Sequence, residues 1–166
     1  MPGRVSKDED TGTEEAHRMN AHPTEQIHAS AVAIDGRGVL LRGPSGSGKS
    51  DLALRLIDAG AVLIADDRVD LVPGADGIRL SGPENLAGLL EVRGVGIVRI
   101  PFVTEVSLSL IVDLVESENI ERLPVSFIAE FMGTEVRRIG LDPFQASAPA
   151  KIRLALSVSD KDMLEP

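Results

Sequence analysis

Three short stretches of this sequence carry residue types and spacings suited to phosphate chemistry. Gly43-Pro44-Ser45-Gly46-Ser47-Gly48-Lys49-Ser50 fits the pattern G-x-x-x-x-G-K-[ST] at every specified position. Glycines let such a loop curl until successive N–H groups point inward at phosphate oxygens. A helix N-terminus then adds partial positive charge, Lys49 reaches the terminal phosphates, and the Ser50 hydroxyl can hold Mg²⁺. Asp66-Asp67 closes the apolar run Ala61-Val62-Leu63-Ile64-Ala65, the place where open α/β sheets present ligand-binding groups. Two adjacent carboxylates repel, so they are held cheaply only beside a cation such as Mg²⁺ or Lys49. Metal ligation or service as a base would use them; a solvated turn with Arg68 as counterion would not. Glu91 and Arg93 flank Val92 in an apolar, glycine-punctuated stretch, and on a strand they share a face and suit a pocket wall. Gly94 and Gly96 there would allow a close approach of backbone.

These residues need elements to hold them. Val39 to Leu41 reads as a strand feeding the loop, with a hairpin turn at Asp35-Gly36-Arg37-Gly38 joining it to an earlier strand of alternating Ile27, Ala29, Ala31 and Ala33. His28 lies on that earlier strand, where a lone histidine is usually structural or merely exposed. Beyond the loop, Leu52, Ala53, Leu56 and Ile57 form one helical stripe; Asp51 and Arg55 can pair on the opposite face, and Gly60 ends the helix. Ala61 to Ala65 is a buried strand. Short strands follow at 69–72 and 78–80, then a strand at 106–114. Residues 125–132 and 135–141 are ambiguous between strand and helix, and 148–158 reads as a helix with Pro149 in its first turn. Asp113, closing an apolar strand, competes with the Asp pair as a metal-binding acid. Arg122 by itself reads as a solvated loop residue.

The sum is a strand-rich α/β domain built on a phosphate loop. With 43% hydrophobic residues but 2% aromatic, its core must be aliphatic. The absence of Cys excludes disulfides and thiolate sites, and a formal charge of −9 argues against a nucleic-acid binder. No run is long enough to span a bilayer, and the polar, acidic first residues do not read as a signal peptide. Residues 1–24 read as a disordered tail and 25–160 as one catalytic domain, expected in the cytoplasm.

Taken in order, His28, the loop 43–50, Leu63-Ile64-Ala65-Asp66-Asp67 and Leu90-Glu91-Val92-Arg93-Gly94-Val95-Gly96-Ile97 resemble the catalytic domain of the HPr kinase/phosphorylase family. The resemblance covers most of residues 26–123. It implies an ATP- and Mg²⁺-dependent protein serine kinase acting on an HPr-type phosphocarrier of the sugar phosphotransferase system. It also implies reversal by inorganic phosphate with release of pyrophosphate, a hexameric assembly, and a short form with the catalytic domain alone. Under it, Asp67 accepts the serine proton, Asp66 assists, Lys49 holds the β- and γ-phosphates, Ser50 and Glu91 ligate Mg²⁺, His28 joins the cluster, and Arg122 stabilises transferring charge. Pro44 stands where the family commonly has an acidic residue and Asp51 where it has Glu; the stretch after Ile97 is shortened, and the downstream Pro-Gly-Arg-Asn-type loop is not evident. Two other readings fit the loop: a small-molecule kinase or NTPase with Asp113 as the metal-binding acid, and a non-catalytic regulator that senses nucleotide.

Overall fold

The computed structural model describes residues 24–164, so the tail assigned to 1–24 lies outside the described residues except for Thr24. Eleven strands and two helices follow in the order β1 (Glu25–His28), β2 (Ser30–Ile34), β3 (Arg37–Arg42), α1 (Lys49–Asp58), β4 (Val62–Ala65), β5 (Arg68–Gly74), β6 (Gly77–Ser81), β7 (Leu89–Val92), β8 (Gly96–Arg99), β9 (Val106–Leu114), β10 (Ile128–Phe131), β11 (Thr134–Leu141) and α2 (Ala148–Ser157). The main sheet of nine strands runs β1-β5-β6-β9-β3-β2-β4, with β11 joined parallel to β9 and β10 joined antiparallel to β11; β7 and β8 form a separate hairpin. The phosphate-loop strand β3 is central, parallel to β9 and antiparallel to β2.

Alternation along β3 divides two aliphatic cores. Val39 and Leu41 point to the helical side and pack with Leu52 and Leu56 of α1 and Ile152 of α2. Leu40 points the other way, toward Ile64, Val69, Leu71, Ile78 and Leu80. Because β2 is covered on both faces, Ser30 to Ile34 are all buried, and the alternation expected there does not appear. The ambiguous stretch 125–141 forms the hairpin β10–β11. Its turn is Met132-Gly133, with φ of 49° and 75°, and Asp35-Gly36 matches it with 50° and 74°. Positive φ at both turn residues gives a two-residue connection the twist that flanking strands need.

One bend matters more than the rest. β2 pairs with β4, whereas β1 pairs with β5. The chain therefore passes from one part of the sheet to the other twice at one place, through Ala29 and through Asp66-Asp67, joined by a hydrogen bond from Ala29 N–H to the Asp67 carbonyl (3.3 Å). Strands that switch sheets in this way form a corner. The Arg68 N–H bonds back to the Asp66 carbonyl (2.8 Å), closing a three-residue turn around Asp67, whose φ is 68°.

Close approach of β3 and β9 sets a stability limit. A Cβ on Gly38 would lie 2.7 Å from the Ser107 carbonyl oxygen and 3.0 Å from a Leu80 methyl carbon. Gly38→Ala is therefore expected to lower unfolding free energy by about 1–3 kcal/mol through overpacking, read as a lower urea midpoint. An unchanged midpoint would show that β3 and β9 can separate freely there.

Candidate active site

The loop following β3 is held by its own lysine. Lys49 Nζ donates to the carbonyls of Gly43 (2.7 Å) and Pro44 (2.9 Å), and Ser47 N–H closes a turn onto the Pro44 carbonyl (3.0 Å). Gly46 and Gly48 take φ of 80° and 94°, values that strain residues with a Cβ, and the left-handed Gly48 leads straight into α1, whose first amides have no partner within the helix and no side-chain cap. An ammonium has three donors, so one hydrogen of Lys49 remains for a ligand. Lys49 is buried, and desolvation lowers its pKa; the Asp66 and Asp67 carboxylates oppose that shift.

Asp66 and Asp67 have different surroundings. Asp66 is buried, and its Oδ1 accepts from the hydroxyls of Ser30 (2.7 Å) and Ser50 (2.8 Å), while Oδ2 accepts the Glu91 N–H (3.3 Å). One carboxylate thus ties β2, α1 and β7 to the end of β4. With its proton committed to Asp66, the Ser50 hydroxyl presents only lone pairs to anything else, as a cation ligand must. Asp67, 59% exposed, faces out. His28 Nδ1 lies 3.0 Å from its Oδ1, and Arg68 Nε lies 3.8 Å from Oδ2. The left-handed backbone at Asp67 is the kind of local strain that persists where surrounding structure over-determines it.

A cavity of about 440 Å³ joins these parts; His28, Lys49, Ser50, Asp67, Glu91 and Arg93 are on its walls. With Ser45, Gly46 and Gly48 of the loop, nine of the expected site residues therefore meet around one space, with Asp66 directly behind them. Arg93 lies just past the end of β7, in the hairpin turn. Gly94 and Gly96 do not serve close packing: a Cβ on either would meet nothing within 4 Å, and their φ of 83° and 127° shows that they serve the turn.

Two further residues lie apart from this cavity. Arg122 is exposed in the irregular segment after β9, lines neither this cavity nor the one on the loop's other side, and forms no ion pair among the described residues. Asp113, the alternative metal-binding acid, is committed to arginines. It pairs in register with Arg42, whose Nε and Nη2 reach its two oxygens at 2.9 and 3.1 Å, and it also accepts from Arg138 Nε. Both pairs project on the Leu40–Ile111 side of the sheet, opposite the helices. Ser30 was not singled out from the sequence; its signal is a hydroxyl inside the otherwise apolar run Ala29 to Ile34.

Among the described residues, no group of three or more His, Asp or Glu side chains could cage a metal. The donors present, Ser50, Glu91 and Asp67, instead suit a hard cation that takes one or two protein ligands and completes its shell with phosphate and water.

The strand–loop–helix beside an acid-bearing strand end defines a phosphate-loop protein of the strand-rich α/β class. The chain belongs to the family described as "HPr Serine kinase C-terminal domain", whose model matches residues 20–152. It is 40% identical over 132 residues to the HPr kinase/phosphorylase of Bordetella pertussis, covering 72% of this chain and 42% of that protein. It is 40% identical over 136 residues to the HPr kinase/phosphorylase of Leptothrix cholodnii, covering 73% of this chain and 42% of that protein. The chain thus spans well under half the length of these curated relatives. The solved structure of the Hpr(Ser) kinase/phosphatase from Coxiella burnetii superposes with a TM-score of 0.68 at 28% identity, covering 79% of this chain and 87% of that one.

The two aspartates should separate on mutation. Asp66→Ala leaves the buried Ser30 hydroxyl and the Glu91 N–H without their acceptor, and is expected to cost about 1–3 kcal/mol of stability. Asp67→Asn, at an exposed position that Asn tolerates, is expected to stay within about 0.5 kcal/mol. Denaturant titration of both variants measures this; equal losses would contradict the division of roles.

Proposed function

We propose that this chain is an ATP-dependent protein serine kinase whose acceptor is an HPr-type phosphocarrier, and that Asp67 is its proton acceptor. The observation that carries the reading is the His28–Asp67 pair, open to solvent and on the same cavity wall as Lys49. A carboxylate at the mouth of the cavity can be reached by a serine presented on the surface of another protein. Family membership and the names of the relatives support that acceptor.

The step is an in-line transfer. The serine oxygen forms a bond to the γ-phosphorus as the bond to the β,γ-bridging oxygen breaks, ADP leaves, and the serine proton passes to Asp67. His28 fixes the orientation of that carboxylate. Lys49 and the amides at the start of α1 neutralise charge on the β- and γ-phosphates, the main demand of phosphoryl transfer. Ser50 and Glu91 would hold Mg²⁺, which when bound screens phosphate charge. In reverse, inorganic phosphate attacks phosphoserine through the same line, Asp67 returns the proton to the serine oxygen, and pyrophosphate leaves. The setting is the cytoplasm, where ATP and the carrier meet; among the described residues no helix is long and apolar enough to cross a membrane. A homo-oligomer, a hexamer by family resemblance, is the proposed assembly, with no nucleic-acid partner.

Labelled ATP, Mg²⁺ and an HPr-type carrier should yield acid-stable phosphoserine on the carrier, and later addition of inorganic phosphate should release pyrophosphate. Asp113→Asn should keep transfer per folded molecule, because Asp113 answers only Arg42 and Arg138. ATP binding without transfer to any such carrier would replace this reading with a nucleotide-sensing one. Loss of transfer in folded Asp113→Asn would instead favour a different arrangement of the acids.

A further inference from the structure

A second cavity, of about 630 Å³, lies on the other side of the phosphate loop. Pro44 to Ser47 form one wall, and the carboxyl ends of β9 and β11 supply Val115, Glu116, Ser117, Glu118, Asp142 and Phe144. We propose that this cavity takes the nucleoside of the bound nucleotide, with Phe144 as the platform on which the purine base stacks. The proposal rests on the reading of Gly43 to Ser50 as the phosphate cradle.

Topology gives the direction. The strands stand in the order β11, β9, β3, β2, β4, with β3, β9 and β11 parallel. Asp67, which must lie beside the transferred phosphate, follows β4 on one side of the loop. A nucleotide laid across the loop with its terminal phosphate at Asp67 therefore extends its other end toward β9 and β11. Crevices at the carboxyl ends of parallel strands are where such sheets bind ligands. The volume falls within the usual range for small-molecule sites.

Charge gives the same direction. Lys49, His28 and Arg93 line the first cavity beside the carboxylates of Asp51, Asp67 and Glu91, whereas the second has no Lys, Arg or His on its walls and carries Glu116, Glu118 and Asp142 with no cation to offset them. Such a wall repels phosphate and accepts hydrogen bonds from ribose hydroxyls or an exocyclic amine. Ser47 Oγ, on the loop side of this cavity, is buried and has no hydrogen-bond partner among the described residues.

Phe144 is presented rather than packed away. The chain has four Phe and no Trp or Tyr, yet this ring is 72% exposed. Its N–H donates to Asp142 Oδ1 (2.9 Å), and Asp142 Oδ2 accepts from the Ser117 hydroxyl; both bonds hold the Asp142 carboxyl below its usual pKa. Arg55 of α1 donates to the Pro143 carbonyl, so the segment is fastened to the helix that the phosphate loop begins. The ring borders both cavities and stands close enough to Gly48 that a Cβ there would lie 3.2 Å from it. An exposed ring fixed at the boundary between a phosphate site and an acidic crevice matches a base-stacking surface.

Binding of ADP and of inorganic pyrophosphate, each with Mg²⁺, to the unaltered chain and to Phe144→Ala separates the outcomes. Loss of a stacking ring should weaken ADP about tenfold or more and leave pyrophosphate within about twofold. Phe144→Trp supplies the sole indole of the chain, and its fluorescence should respond to ADP but not to pyrophosphate. Unchanged ADP affinity in Phe144→Ala, or equal weakening of both ligands, overturns the subsite and leaves this face to some other contact. Failure of the unaltered chain to bind either ligand overturns the phosphate-loop reading, and the subsite with it.

Discussion

The buried carboxylate of Asp66 is the interaction on which the site depends. It accepts from Ser30 on β2, from Ser50 in the first turn of α1 and from the Glu91 N–H on β7. Three segments distant in sequence are thereby fixed to the end of β4. Hydrogen bonds to an ionised acceptor are stronger than neutral ones, and each donor would be poorly satisfied if the carboxylate moved. The corner at Ala29 and Asp66-Asp67 follows from the same arrangement. It turns Asp66 inward as an anchor and leaves Asp67 outward, beside His28, where a reacting hydroxyl could arrive.

Around that anchor, the phosphate loop separates two environments of different character. Cations and carboxylates meet on the side of β4, carboxylates without a cation stand on the side of β9 and β11, and the Phe144 ring borders both. Lys49 is pulled two ways: burial disfavours its charge, and the two aspartates favour it. Its bonds to the Gly43 and Pro44 carbonyls hold the loop in shape while leaving one donor uncommitted. Such pre-formed geometry suits a reaction whose main requirement is charge neutralisation along a fixed line.

Much of this was legible in the sequence where local chemistry decides structure. The loop, the helix with its Asp51–Arg55 pair (3.0 Å), the Asp35-Gly36 turn and the strand ending at Asp66 all follow from short-range patterns, and all are present. Other features depend on contacts that no local pattern encodes. Ser30 matters because the corner brings it to Asp66, 36 residues away. Asp113 resembled a metal-binding acid, but strand pairing commits it to Arg42, and pleating turns it to the other face. Gly94 and Gly96 suggested close packing and instead make a turn. Arg122 is implied by a resemblance carried through a shortened segment, and it is not among the residues lining either cavity. Phe144 drew no notice because it follows no periodic pattern; only the junction of β11 with the loop gives it a place.

The central claim is that Asp67 moves the proton and Asp66 holds the architecture. The most direct test is the rate of phosphoserine formation in Asp67→Asn set against its affinity for ADP. Turnover should fall about a hundredfold or more with ADP affinity nearly unchanged, since a general base acts on the chemical step and not on nucleotide binding. Turnover close to that of the unaltered chain would contradict it, and so would a loss explained wholly by weaker nucleotide binding.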